Sequence, residues 1–277
     1  MKKIIVPIDF SEHSEYALKT AAKLAKKNGA EVLALHMLEL SDVLLTKTNT
    51  EQQLKAVYFL KLAEQKFDSF LDKDYLNDVK ITPIVKHFKV FSEVNDVAKK
   101  TNADLIVMGS HGTSGAKEFF IGSNTERVVR NADIPVLVVK NDVANTNFET
   151  VVFATDFDQE NIIPYQKATK LFDDFGGNIK LLYVNLPNEH FRSTVEIEQR
   201  IAKFLQKADG NLNKINDVAY QADYSVEHGV LNFSNKIGAD IIAIATHGRK
   251  GVSHFFAGSI GEDIANHSTL PVITFKI

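Results

Sequence analysis

Leu105-Ile106-Val107-Met108-Gly109-Ser110-His111-Gly112, followed after nine residues by Gly122-Ser123, is the stretch that decides the fold. An apolar run of strand type enters a glycine-bearing turn, and Gly122-Ser123 opens a helix. A strand, a turn and a helix N-terminus in that order make an anion site, because unpaired backbone N–H groups and the helix dipole point at one spot. Glycine lets phosphate oxygens approach the backbone, and the Ser123 hydroxyl can cap the helix or donate to the anion. The same stretch is written a second time: Ile241-Ile242-Ala243-Ile244-Ala245-Thr246-His247-Gly248, again nine residues, then Gly258-Ser259. Ala245 replaces the first glycine of this copy and is expected to crowd its loop by one methyl group.

Working outward, the repeat covers the chain. Asp9-Phe10 recurs as Asp156-Phe157, and Ala21, Leu24 and Gly29 fall on Ala168, Leu171 and Gly176. Ala103-Asp104 recurs as Ala239-Asp240, Glu126 as Glu262, and Pro135-Val136 as Pro271-Val272. Unit one is residues 1–142 and unit two 147–277, joined by a short polar linker.

Within a unit, strands and helices alternate. Lys3–Ile8 reads as a strand. Ser11 then caps a helix with Ala17, Ala21 and Leu24 at helical spacing, ended by Asn28-Gly29. Glu31–Met37 is a second strand, Thr50 to Leu71 an amphipathic helix, Ile81–Val85 a third strand and Ser92–Thr101 a helix. Leu105–Met108 and Val136–Val139 close the unit around a helix from Ser123 to Asn131. Five strands with helical crossovers predict an α/β fold, a parallel sheet covered by helices on both faces, built twice. Pro164 stands where Ala17 stands in the first copy, so the second unit's first helix is expected to start late or bend.

Composition excludes several classes. Of 277 residues 44% are hydrophobic and 24% charged, which suits packed cores. The net charge of −3, with no basic block, argues against nucleic acid as a partner. No cysteine is present, which removes disulfides, thiolate metal sites and a cysteine nucleophile. Asp9 interrupts the first apolar run, which therefore reads as a strand and not an export signal. No apolar stretch reaches the roughly 20 residues of a membrane helix, and a cytoplasmic location is expected. The nine histidines show no His-x-x-x-His or His-Glu-x-x-His spacing, so no metal site is expected.

Gly-x-x-Gly, nine residues, Gly-Ser, together with Val6-Pro7-Ile8-Asp9, His36-Met37 and Ile134-Pro135-Val136-Leu137-Val138-Val139, resembles the universal stress protein family, twice along the chain. The resemblance implies the adenine-nucleotide alpha-hydrolase-like fold, with strand order 3-2-1-4-5, and pairing through the fifth strands. One chain would then be an intramolecular pseudo-dimer with Val136–Val139 antiparallel to Val272–Phe275, open to further homodimerisation. It also implies an ATP, ADP or AMP site, with Mg²⁺ as a companion of ATP. The aspartate after the first strand would lie by the adenosine, the second-strand end by the base, and the glycine loop around the phosphates. Carried over, these are Asp9, Met37, Gly109, Ser110, His111, Gly112, Gly122 and Ser123 in the first unit. In the second they are Asp156, Val184, Ala245, His247, Gly248, Arg249, Gly258 and Ser259. Arg249-Lys250 follows Gly248 where Thr113-Ser114 follows Gly112, so the second site is expected to depend more on phosphate charge. For His111 and His247, a structural hydrogen bond competes with phosphate contact.

The implied function is an adenine-nucleotide-binding regulatory or stress-response module, with no catalytic residue assigned. The alternatives are a weak ATP-hydrolysing or adenylating enzyme and an interaction scaffold with decayed nucleotide sites. Neither a Gly-Lys-Ser/Thr phosphate loop, a dinucleotide fingerprint nor a serine nucleophile elbow is present to favour an enzyme.

Overall fold

The computed structural model describes residues 1–38, 50–87, 90–111, 122–142, 147–246 and 260–277. By their contacts these fall into two compact units, one of residues 1–117, 122–134 and 139–144, the other of 118–121, 135–138 and 145–277.

In the first unit, β1 (Lys3–Ile8) leads through Asp9 and Phe10 into α1 (Glu12–Asn28). Ser11 caps α1 by accepting from the Ser14 N–H, Glu12 and Glu15 sit in its first turn and Lys26 and Lys27 in its last, all matched to the helix dipole. Gly29 ends it with φ +64°. Then follow β2 (Glu31–Leu38), α2 (Thr50–Leu71), β3 (Ile81–His87), α3 (Val90–Thr101), β4 (Leu105–Gly109), α4 (Ser123–Asn131) and β5 (Val136–Val139). β1 lies parallel between β2 and β4, Ile5 facing Leu33 on one side and Ile106 on the other, and β3 runs parallel outside β2. Ile4, Ile5, Val6, Leu35, Ile106 and Val107 are wholly buried, as strands covered on both faces require.

The second unit repeats the series: β6 (Thr150–Ala154), α5 (Ile162–Phe175), β7 (Asn178–Asn185), α6 (Thr194–Ala208), β8 (Ala219–Ala222), α7 (Val226–Lys236), β9 (Ile241–Thr246), α8 (Ile260–His267) and β10 (Val272–Lys276). The order β8-β7-β6-β9-β10 matches β3-β2-β1-β4-β5, which is the expected 3-2-1-4-5 twice. Residues 135–138 group with this unit, where β5 lies antiparallel to β10, the pairing expected of the two apolar terminal strands, with Leu137 opposite Ile273.

Pro164 acts as anticipated. A 3-10 turn, Gln159–Asn161, stands where α1 has its first turn, and α5 starts three residues later than α1 with Pro164 inside its own first turn. α6 opens with a capping box: Ser193 accepts from the Glu196 N–H while the Glu196 carboxylate takes the Ser193 N–H and hydroxyl.

Candidate functional site

Parallel strands present their C-terminal ends to one edge of a sheet, and the chain order reverses between β1 and β4, the place where α/β sheets open a crevice. In the first unit Asp9 follows β1, Met37 lies near the end of β2 and Gly109 ends β4. The topology therefore brings the carboxylate, the second-strand end and the glycine turn to one edge.

The turn Asp9-Phe10-Ser11 has a defined local cause. Phe10 adopts φ +66°, and the Asp9 carboxylate accepts from the Ser11 N–H at 3.0 Å and the Ser11 hydroxyl at 2.5 Å. Asp9 remains partly exposed. The Phe10 ring lies 4.6 Å from His36 and 5.3 Å from Phe67, and the His36 Nδ1 atom bonds the Ile8 carbonyl at 2.7 Å. Burial holds the His36 pKa below its ordinary value.

On the β4 side, Ser110 donates its N–H to Val139 at 2.9 Å, and its own carbonyl accepts the Gly122 N–H at 2.7 Å. The Thr125 hydroxyl donates to the Gly109 carbonyl at 2.9 Å, fixing the first turn of α4 against the loop. Gly122 is the N-cap of α4 with φ −60° and ψ 145° and, as a glycine, brings no capping side chain of its own. Ser110 is buried, its hydroxyl 3.0 Å from the His111 Nδ1 atom, so this pair is engaged internally.

Two residues that the sequence reading left out complete this edge. His13, in the first turn of α1, places its Nδ1 atom 3.2 Å from the Lys140 carbonyl and its ring 5.3 Å from that of His111. Burial lowers the Lys140 pKa to about 8. The one available signal was the repeat itself, which sets His13 against Glu160.

The geometry also changes the meaning of Gly109. A Cβ there would stand 2.6 Å from the His13 carbonyl oxygen, so glycine is needed for α1 to pack on β4. Ala245 is buried at the matching place, where the second unit has its 3-10 turn instead of a helical first turn.

The second unit handles its aspartate differently. Asp156 is only 6% exposed, and its Oδ1 atom accepts from the Asn161 side-chain amide at 2.8 Å and the Asp158 N–H at 2.9 Å. The Arg200 guanidinium donates to the Asp156 carbonyl at 2.5 Å, reaches the Asp158 carboxylate at 2.5 Å and stands 3.7 Å from the Asp156 Oδ2 atom. Burial raises the Asp156 pKa, opposed by its backbone hydrogen bond and by Arg200. The Val184 side chain is part of the apolar core with Val226 and Val230, and a Cβ on Gly229 would meet it at 2.6 Å. It is thus a packing residue, leaving only its backbone for a ligand. Gly112, His247, Gly248, Arg249, Gly258 and Ser259 lie outside the described residues. Among the described residues no group of three metal-binding side chains gathers, and no helix is long and apolar enough to cross a membrane.

Comparison with known proteins agrees with the duplication. The model of the universal stress protein family matches twice, over residues 1–140 and 147–276. Two universal stress proteins of Methanocaldococcus jannaschii are 32% identical over 155 residues and 33% identical over 149, each spanning 50% of this chain and 94% or 82% of their own length. A solved universal stress protein from Archaeoglobus fulgidus shares the fold over 99% of this chain and 98% of its own, with TM-score 0.66 and 22% identity. The chain belongs to the universal stress protein family and carries two copies of its domain.

Proposed function

We propose that the chain is an adenine-nucleotide-binding regulatory module, with ATP, ADP or AMP held at the C-terminal edge of the first unit's sheet. The observation that carries this is the α4 N-terminus: Gly122 caps it without a side chain, beside the Gly109–His111 turn, on the same edge as the partly exposed Asp9. A helix N-terminus favours an anion through its N–H groups and dipole, and a partly exposed carboxylate on the same edge suits a ribose hydroxyl. Asp9 would take the ribose, the end of β2 at Met37 the base, and the backbone of 109–112 with Gly122 and Ser123 the phosphates. Lys140 adds positive potential on the phosphate side, and Mg²⁺ would accompany ATP without a dedicated protein cage. The two domains are taken as residues 1–142 and 147–277.

A binding role is favoured over turnover because the serine and histidine in contact at this edge, Ser110 and His111, leave the serine hydroxyl buried and engaged with the His111 ring. Slow hydrolysis stays open to direct assay. The test is calorimetric titration of the intact chain with ATP and, separately, GTP. Saturable binding of ATP and much weaker binding of GTP is expected; no heat with ATP overturns the reading.

A further inference from the structure

We infer that Arg200 closes the second unit to adenosine, so that the chain holds one nucleotide and holds it in the first unit; this rests on the nucleotide reading above. The two units differ at the turn after their first strand. In the first, Asp9 is satisfied locally by Ser11 and stays partly exposed. In the second, the residue at the Ser11 position is Asp158: its N–H still serves the Asp156 Oδ1 atom, but its side chain is a second carboxylate, held by Arg200 at 2.5 Å.

The arginine comes from α6, the counterpart of α2. The buried pairs Ile197 and Ile201 of α6 correspond to Ala63 and Phe67 of α2, which sets Arg200 against Lys66. The cation is conserved in place but not in use. Lys66 is exposed, its ammonium 5.6 Å from the centroid of the Phe10 ring. Arg200 instead forks inward, one nitrogen on the Asp156 carbonyl and another between the two carboxylates, an arrangement that a planar guanidinium supports and an ammonium does not. Its own side chain is 24% exposed, so it forms the outer cover of the aspartate.

A ribose hydroxyl needs an accessible acceptor on that aspartate. Here the Oδ1 atom already has two donors, the Oδ2 atom faces the guanidinium, and the carboxylate is 6% exposed. Admitting adenosine requires removal of Arg200 from two carboxylates and a carbonyl, which leaves buried charge uncompensated unless the ligand restores it. The sugar and base offer no such anion. Tyr183, buried in the place of His36, further fills this end with a larger ring.

Equilibrium dialysis of the intact chain against labelled ATP tests this by stoichiometry. One equivalent is expected in the wild type, Asp9→Ala and the milder Asp9→Asn should each remove most of it, and Arg200→Ala should admit a second equivalent. Thermal melts of each variant establish that it is folded. Two equivalents in the wild type, one equivalent retained by both Asp9 variants, or no gain in folded Arg200→Ala overturns the inference while nucleotide binding stands. No equivalents at all in the wild type overturns the nucleotide reading and this inference together.

Discussion

Gly109 and His36 show how much a single position in this protein depends on its immediate neighbours. A methyl group at 109 would lie 2.6 Å from the His13 carbonyl oxygen and 2.7 Å from its carbon, both backbone atoms that cannot rotate away. Gly109→Ala is therefore expected to destabilise the first unit by about 1–3 kcal/mol, the range of overpacking, measured by urea denaturation. Equal stability would show that α1 yields without cost. His36 carries a pH dependence. Burial disfavours its charged form, Lys66 adds to this, and the Ile8 carbonyl and Asp9 oppose it, with the lowering ahead. Its folded pKa lies below its unfolded value of about 6.5, so the unfolded chain takes the proton first. The stability that neutral His36 allows is complete above that value and is lost as pH falls below it. His36→Tyr, the residue of the second unit, removes the titration. Wild type should lose more stability than this variant between pH 7.5 and 5.0 in urea melts; parallel losses would refute the assignment.

Among the elements, α4 separates structure from binding most cleanly. Gly122 has φ −60°, a conformation open to any residue, so nothing in the local backbone demands glycine. Gly122→Val should therefore fold, with a melting temperature close to wild type, while its branched side chain obstructs the N-terminal N–H groups. Unfolding of this variant would show that the glycine is structural. How far such elements were legible follows their chemistry. Ser11, Gly29 and the apolar spacing of α1 mark both its ends and its buried face, and the late start of α5 follows from Pro164. The short strand β8, with its alternating partly buried pattern, carries no comparable signal, and the sequence reading assigned it only through the repeat. At the site, the glycines marked the loop, but they could not show that Gly109 serves helix packing. Arg200 was invisible for a related reason: it lies 44 residues from Asp156, and only the packing of α6 on the β6 turn joins them.

Over the whole chain, duplication sets the architecture and divergence sets the function. Both copies keep the order 3-2-1-4-5 and the aspartate after the first strand, yet they differ around it: Ser11 against Asp158, His13 against Glu160, Lys66 against Arg200, Gly109 against Ala245. Each change in the second copy adds negative charge, a buried guanidinium contact or bulk where the first copy stays open or basic. These changes spare the core of the second unit, where Val152, Phe153, Leu182, Ile242 and Ile244 are wholly buried. The account depends on the first unit's sheet edge being an adenine-nucleotide site, and calorimetric titration of the intact protein with ATP, run in parallel on wild type and folded Gly122→Val, addresses this most directly. The account predicts saturable binding in wild type and a loss of at least about tenfold in the variant, the equivalent of roughly 1.4 kcal/mol; absence of binding in wild type, or equal affinity in both proteins, would contradict it.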